Sequence, residues 1–458
     1  MKKLFCAALV CLLLVGTTSA KVTLPPTTDI RLDNGLTVRI IERHNLPLFS
    51  IRMTFRAGAA LDPVGKEGVA NLCNEMLMRG TTARTDKQIV AEVAFGGGSM
   101  TIFCERDRAG ISGEFLTEYG AKGFEIIGDV LADSRFAQEE VDKIMTRLLA
   151  DIQGEMDDPA TVANQYISLA ILQDSRYAHQ PIGTMSSVAG LTRQDVLDFF
   201  KKWYSPDNCL LVVCGDVDQK TVIEWLGKYF KDWKGQAATL PAESPFQPTP
   251  GAQTLLLNKE DASQTQIRVG LPGLSRSNPD YIPFEAARTI LGGSFTSRLV
   301  NEIRVNRGLS YNVRCVSNRF IPGGMIYIST FTKNATVSEV VDIILAETKR
   351  MQTEPVPDSE LTGAINYQNG LYPLGFETND NLAVVFSSLW LYHDDKSVYE
   401  DFQEKMRGVT ADKVMAVAKK YFPSADYRLV LVGKADEVKS QVEKYGPVEV
   451  RSITEKQQ

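Results

Sequence analysis

Histidine is nearly absent: the 458 residues include only His44, His179 and His393, and no two of these are spaced to share a metal from one helix face. A helix that holds zinc through imidazoles needs two histidines four apart, so this chain cannot supply such a site. Long apolar runs are equally scarce. Beyond the first twenty residues, no stretch is long and apolar enough for a membrane-spanning helix, which argues against stable membrane insertion. There is no basic excess either. Lys and Arg number 50 against 56 Asp and Glu, a formal charge of −6, and that balance gives no reason to expect a nucleic acid partner. The seven cysteines include two at the N-terminus, leaving Cys73, Cys104, Cys209, Cys214 and Cys315 widely scattered. That scatter excludes a disulfide framework. Cys209 and Cys214 lie in the strand-like "CLLVVC", too far apart along an extended chain to bond, and all five read as small core residues.

What is present begins with "MKKLFCAALVCLLLVGTTSA", residues 1–20, a basic start, an apolar middle and a small-residue end. This is the layout of a cleaved secretory signal. It predicts a mature chain from Lys21, periplasmic or secreted. The length is too great for one core and predicts at least two domains.

An internal repeat sets their boundary. "LTRQDVLDFFKKWYSPDNCLLVVCGDVD" from Leu191 and "VTADKVMAVAKKYFPSADYRLVLVGKAD" from Val409 share one plan: a threonine N-cap (Thr192, Thr410), a helix ending in Lys-Lys, a proline turn (Pro206, Pro423), and an apolar strand stopping at glycine (Gly215, Gly433). The Pro/Gly/Ala-rich stretch 234–253 reads as the linker between copies. The expected organisation is therefore a signal at 1–20, one domain at 21–233, the linker, and a second domain at 254–458. Asn34-Gly35 marks a hairpin turn, and "LFSIRMTFRAG" alternates like a half-buried strand. Residues 137–153 place Val141, Ile144, Met145, Leu148, Leu149 and Ile152 on one helical stripe. Each copy thus mixes helices and strands.

In "EGVANLCNEMLMRGTT" a helix sets Asn71, Asn74 and Glu75 opposite Val69, Leu72, Cys73 and Met76. An ordinary solvated face explains that pattern, and a weak oxygen-ligated hard cation with Asp151 is the alternative. "FGGGSM" continues into the strand-like "TIFC" rather than a helix, which argues against a phosphate loop. It reads either as a plain glycine turn or as the head of an edge strand that meets a peptide backbone.

Taken together, "LDNGLTV", "GVANLCNEMLMRGTT", "FGGGSMTIFCERD", "YSPDNCLLVVCGDV" and "LGGSFTSRLVNEIRVNRGLSYNVR" resemble, in order and over nearly the whole mature chain, the pitrilysin or insulinase family of zinc peptidases, on the branch that contains mitochondrial processing peptidase. The resemblance implies an α+β fold of two tandem homologous domains, each a mainly antiparallel sheet packed with helices, enclosing a cavity. The family's inverted H-x-x-E-H motif falls on Asn71, Asn74 and Glu75, and its further acidic ligand on Asp151, so no metal is expected in this chain. The family's arginine and tyrosine, seven apart, fall on Arg304 and Tyr311. On composition alone those two read as a helix-end arginine, capped by Gly308, and a tyrosine opening a strand. The resemblance instead implies catalytic roles, substrate holding and oxyanion stabilisation, with Gly97, Gly98, Ser99, Met100, Gly292 and Gly293 meeting the substrate. It implies a zinc-less subunit, inactive alone, whose partner is a homologous chain with H-x-x-E-H intact that carries the zinc, acting on peptides. The rival expectations are an inert scaffold or peptide-binding protein, and a peptidase with an unorthodox metal at Glu75 and Asp151.

Overall fold

The computed structural model describes residues 21–242, 246 and 250–453; the expected signal at 1–20 lies outside them. Twelve strands form two six-stranded sheets. The first contains β1 (Thr28–Arg31), β2 (Thr37–Glu42), β3 (Leu48–Phe55), β4 (Ser99–Cys104), β5 (Ala109–Leu116) and β6 (Cys209–Gly215), in the order β1-β2-β6-β3-β5-β4. The second contains β7 (Gln253–Asn258), β8 (Gln264–Gly273), β9 (Arg314–Arg319), β10 (Gly324–Lys333), β11 (Arg428–Gly433) and β12 (Val448–Ser452), in the order β12-β7-β11-β8-β10-β9. Pairing is mainly antiparallel; β6 runs parallel to β2, and β7 runs parallel to both β11 and β12. The fold is α+β, built twice.

The repeat is visible in its local causes. Thr192 caps helix Arg193–Trp203 by accepting from the Asp195 N–H, and Thr410 caps Ala411–Tyr421 by accepting from Lys413. Each helix then leads through a proline turn into a central, fully buried strand, β6 or β11. Asn34 and Gly35 do sit in the β1–β2 connection, where Gly35 takes φ +95°, a conformation that suits glycine. The stripe on helix Gln138–Asp157 faces inward, with Val141, Ile144, Leu148 and Ile152 buried and Met145 and Leu149 packed beside them.

Each repeat has its own apolar core, and two further clusters join them by exchange. Helix Pro159–Leu172, from the first repeat, lays Val162, Tyr166 and Ile167 on the second sheet against Val430 and Val432. Helix Asn379–Tyr392, from the second, lays Leu382, Phe386 and Leu389 on the first sheet against Leu210 and Val212. Each such side chain taken from water contributes roughly 1.5–3 kcal/mol, so the exchange ties the repeats together. It also overturns the half-buried reading of β3. Ser50, Arg52 and Thr54 are buried, because the face they share is covered by helix Asn379–Tyr392.

Of the five cysteines, four are buried and Cys104 is partly exposed on β4; all are free thiols. Burial pushes the Cys315 thiol up to about 12, which makes it an inert core group.

Candidate functional site

The degenerate motif occupies helix Val69–Met76, whose N-terminus is held by Asp62. That carboxylate accepts from the Gly68 N–H at 2.7 Å and the Ala70 N–H at 2.8 Å. His179 Nε2 lies 3.1 Å from the same carboxylate and 3.0 Å from the Ala59 carbonyl, so this histidine braces a helix start. The Asp62 side chain is fully buried, and burial raises its pKa above the ordinary carboxylate range. Nothing local in the sequence singled out Asp62.

Asn74 does not lie on a solvated face, contrary to the sequence reading. It is 1% exposed, its Nδ2 donates to the Phe103 carbonyl on β4 at 3.0 Å, and its Oδ1 accepts from the Tyr204 hydroxyl at 3.1 Å. The amide locks the helix to the edge strand. Asn71 and Glu75 remain partly exposed. Glu75 Oε1 meets Arg147 Nη2 at 2.7 Å, and the same guanidinium lies 3.9 Å from Asp151. Sequence reasoning missed Arg147, whose only local signal is its place four residues before Asp151. A cation of the protein's own thus stands between the two carboxylates, and this donor set does not suit zinc. Among the described residues, no group of three or more His, Cys, Asp or Glu could hold a metal ion.

The second cluster is built from the other repeat. Arg304 belongs to the helical segment Val300–Asn306, which ends as expected at Gly308 with φ +62°. The Gly308 N–H reaches the Arg304 carbonyl and the Leu309 N–H reaches Ile303, a helix-ending pattern that turns the chain back. The return brings the Tyr311 carbonyl to 3.0 Å from Arg304 Nη1. Tyr311 does not open a strand. It lies in the loop before β9, its ring edge-on to Phe331 at 5.0 Å and 71% exposed, which leaves the phenol free to donate. The Arg304 guanidinium lies 4.9 Å from the centre of the Phe295 ring.

Arg304, Tyr311, Gly292 and Gly293 line one cleft of about 700 Å³ beside β9, made wholly of second-repeat residues. Gly292 lets the chain pack closely there, since a Cβ would lie 3.0 Å from the Cys315 amide nitrogen, tighter than ordinary contact. Arg288 donates to Glu285 at 2.7 and 3.0 Å and to the Cys315 carbonyl at 3.1 Å, fixing the back wall. Gly97, Gly98, Ser99 and Met100 are not part of this cleft. They lead into β4, the edge of the first sheet, beside the degenerate helix. The structure therefore divides the expected site residues into two groups, one per repeat.

Comparison with known proteins bears on the fold and the family. The model described as "Insulinase (Peptidase family M16)" matches residues 38–184, and "Peptidase M16 inactive domain" matches 190–367. An uncharacterized zinc protease of Streptomyces coelicolor is 25% identical, with 77% of this chain and 78% of the relative covered. The mitochondrial-processing peptidase subunit beta of Saccharomyces cerevisiae is 24% identical over the same shares. Among solved structures, a peptidase M16 inactive domain from Pseudomonas fluorescens superimposes with a TM-score of 0.82 at 22% identity, covering 89% of this chain and 98% of that one. A Helicobacter pylori protease gives 0.82 at 18%, covering 90% and 100%. With both family models matched in order along a twice-built fold, the chain belongs to the insulinase, or M16, peptidase family.

Proposed function

We propose that this chain is the zinc-less subunit of a two-chain zinc endopeptidase, to which it contributes Arg304 and Tyr311. The observation that carries the reading is their pairing: a 3.0 Å bond ties the two residues together at the mouth of a cleft, while the motif helix of the same chain has no imidazole. One relative is itself named as a subunit of a processing peptidase, which supports a two-chain arrangement. The partner is a homologous chain with H-x-x-E-H intact, whose zinc, when bound, would supply polarisation of the scissile carbonyl and activation of water. In this chain, Arg304 holds the peptide and the Tyr311 hydroxyl donates to the oxyanion that develops. Substrate backbone also meets Gly292, Gly293 and the strand head at Gly97, Gly98, Ser99 and Met100. We place the mature chain, from Lys21, in the periplasm or outside the cell.

The test is peptide cleavage by the reconstituted pair. Tyr311→Phe removes one oxyanion donor and should lower turnover about 10² to 10³-fold, or roughly 2.7–4 kcal/mol, with zinc content and complex size unchanged. Wild-type turnover in the intact mutant pair would return Tyr311 to a structural role. A second reading, an inert peptide-holding protein, shares the chemically silent first repeat, in which Arg147 pairs with Glu75, and differs in having no zinc-bearing partner. Failure to co-purify any chain bearing the intact motif would favour it.

A further inference from the structure

The cleft beside β9 has an uneven charge. Four arginines line it (Arg288, Arg304, Arg314 and Arg319) and one acid, Glu285, which is engaged by Arg288 at 2.7 Å. The other three arginines have no carboxylate partner among the described residues. Arg304 donates to the Tyr311 carbonyl. Arg319 donates to the Arg276 carbonyl at 3.1 Å and lies over the Tyr281 ring, 3.4 Å from its centre. Arg314 is exposed at the start of the strand. This positive cleft belongs to a chain whose net charge is −6, so it is not a by-product of overall composition.

β9 is also the last strand of its sheet, paired with β10 alone, although its Cys315 carbonyl is already taken by Arg288. A free edge accepts an extended peptide as an added strand, with main-chain bonds supplying affinity and flanking side chains supplying choice. Side chains alternate between the two faces of a strand, so Arg314 and Arg319 stand on opposite faces of β9. We propose that this cleft selects extended peptide segments carrying acidic side chains on both faces of the added strand, at positions an odd number of residues apart. The inference rests on the reading that peptide enters at Arg304 and Tyr311, and it names the class of peptide. Guanidinium forks match carboxylates in charge and in geometry. A flat polyanion would meet the arginines of one face and make no use of the strand edge.

The experiment needs neither partner nor turnover. Fluorescence anisotropy measures binding of labelled peptides of about eight residues to the purified mature chain. The peptides carry two Glu on opposite faces, or Gln or Lys at the same two places. The Glu peptide should bind roughly tenfold more tightly than the Gln peptide at low ionic strength, with the advantage shrinking as salt screens it. Arg314→Glu should remove most of the preference for the Glu peptide over the Gln peptide; the side chain is exposed, and circular dichroism checks the fold. Equal binding of the Gln or Lys peptide overturns the proposal, as does a preference that survives Arg314→Glu, no binding by any peptide, or tighter binding of an oligonucleotide of equal charge. A missing zinc partner would sink the two-chain reading and leave this measurement intact. A cleaving pair with no charge preference would sink only this inference.

Discussion

Arg147 places its Nη2 2.7 Å from Glu75 Oε1 and its Nε 3.9 Å from Asp151, the two carboxylates on which the proposed reading sets the family's zinc ligands. The guanidinium neutralises the carboxylates locally, and on the proposed reading its charge opposes that of a metal placed between them. Wild-type chain is expected to hold no stoichiometric zinc. The triple change Asn71→His, Asn74→Glu and Glu75→His should bind zinc poorly while Arg147 remains, because a fixed positive charge opposes the ion. Adding Arg147→Gln should raise the bound fraction severalfold. Elemental analysis after dialysis against a weak chelator reads the result, and one zinc per chain in the triple variant would refute the account.

Asn74 is the buried joint between the motif helix and β4, bonded to Phe103 and Tyr204 at once. Asn74→Ala strands a buried carbonyl and a buried hydroxyl, each normally paired. The expected cost is about 1–3 kcal/mol, read as a lower urea midpoint. Adding Tyr204→Phe should cost less than the sum of the single changes, since the hydroxyl then has nothing left to lose. Strict additivity would show that the hydrogen bond contributes nothing.

His44 Nδ1 lies 2.7 Å from Asp216. That hydrogen bond raises the His44 pKa above its ordinary 6.5 and lowers the Asp216 pKa below its ordinary 3.8. The histidine's contribution is complete below about 6.5 and is lost as pH rises through the raised folded value. The aspartate's contribution is present above about 3.8 and is lost as pH falls through the lowered one. The pair is therefore intact across the acidic window between them. With three histidines in the chain, imidazole proton resonances can be assigned by single substitutions. His44 should titrate above 6.5, and Asp216→Asn should bring it back toward that value. An unmoved midpoint would show the contact is not populated in solution.

The doubled architecture was legible because its causes are local. Thr192 and Thr410 cap helices, prolines turn the chain, and β6 and β11 are continuous apolar runs. The geometry of the candidate site was half legible. Arg304, Gly308 and Tyr311 announce a helix end and a return, and that return builds the cleft. Burial across the repeats was not legible. The alternation of β3 looks half-solvated because its cover comes from helix Asn379–Tyr392; Asn379 itself contacts Leu48 across 331 residues of sequence. Asn74 looked solvated for the same reason, since Tyr204, 130 residues away, closes over it. A helical wheel reports where a side chain points; it does not report what another part of the chain lays on top.

The two exchanged helices each cover a buried arginine, and the pair offers a comparison within one molecule. Burial pushes Arg52 on β3 down to about 10, with Arg108 adding repulsion, and burial pushes Arg268 on β8 down to about 10 as well. Their surroundings differ. Arg268 donates to Asn164 at 2.7 Å and to the Ala160 carbonyl at 3.2 Å, both on helix Pro159–Leu172, and to the Thr330 carbonyl at 3.1 Å. Arg52 leaves its Nε buried without a hydrogen-bond partner and rests on the Phe103 ring at 3.8 Å. Arg268→Met therefore strips several acceptors and unties the first repeat's helix from the second sheet, at an expected cost of about 1.5–3 kcal/mol. Arg52→Met gives up a cation–π contact of about 0.5–2 kcal/mol but also removes a poorly compensated buried charge, so its net effect should stay within about 1 kcal/mol of wild type. Urea unfolding of the two variants, measured side by side at neutral pH, decides the matter. A larger loss from Arg52→Met than from Arg268→Met would mean that the exchanged helices are held by apolar contact alone, and that the hydrogen bonds of Arg268 add no stability.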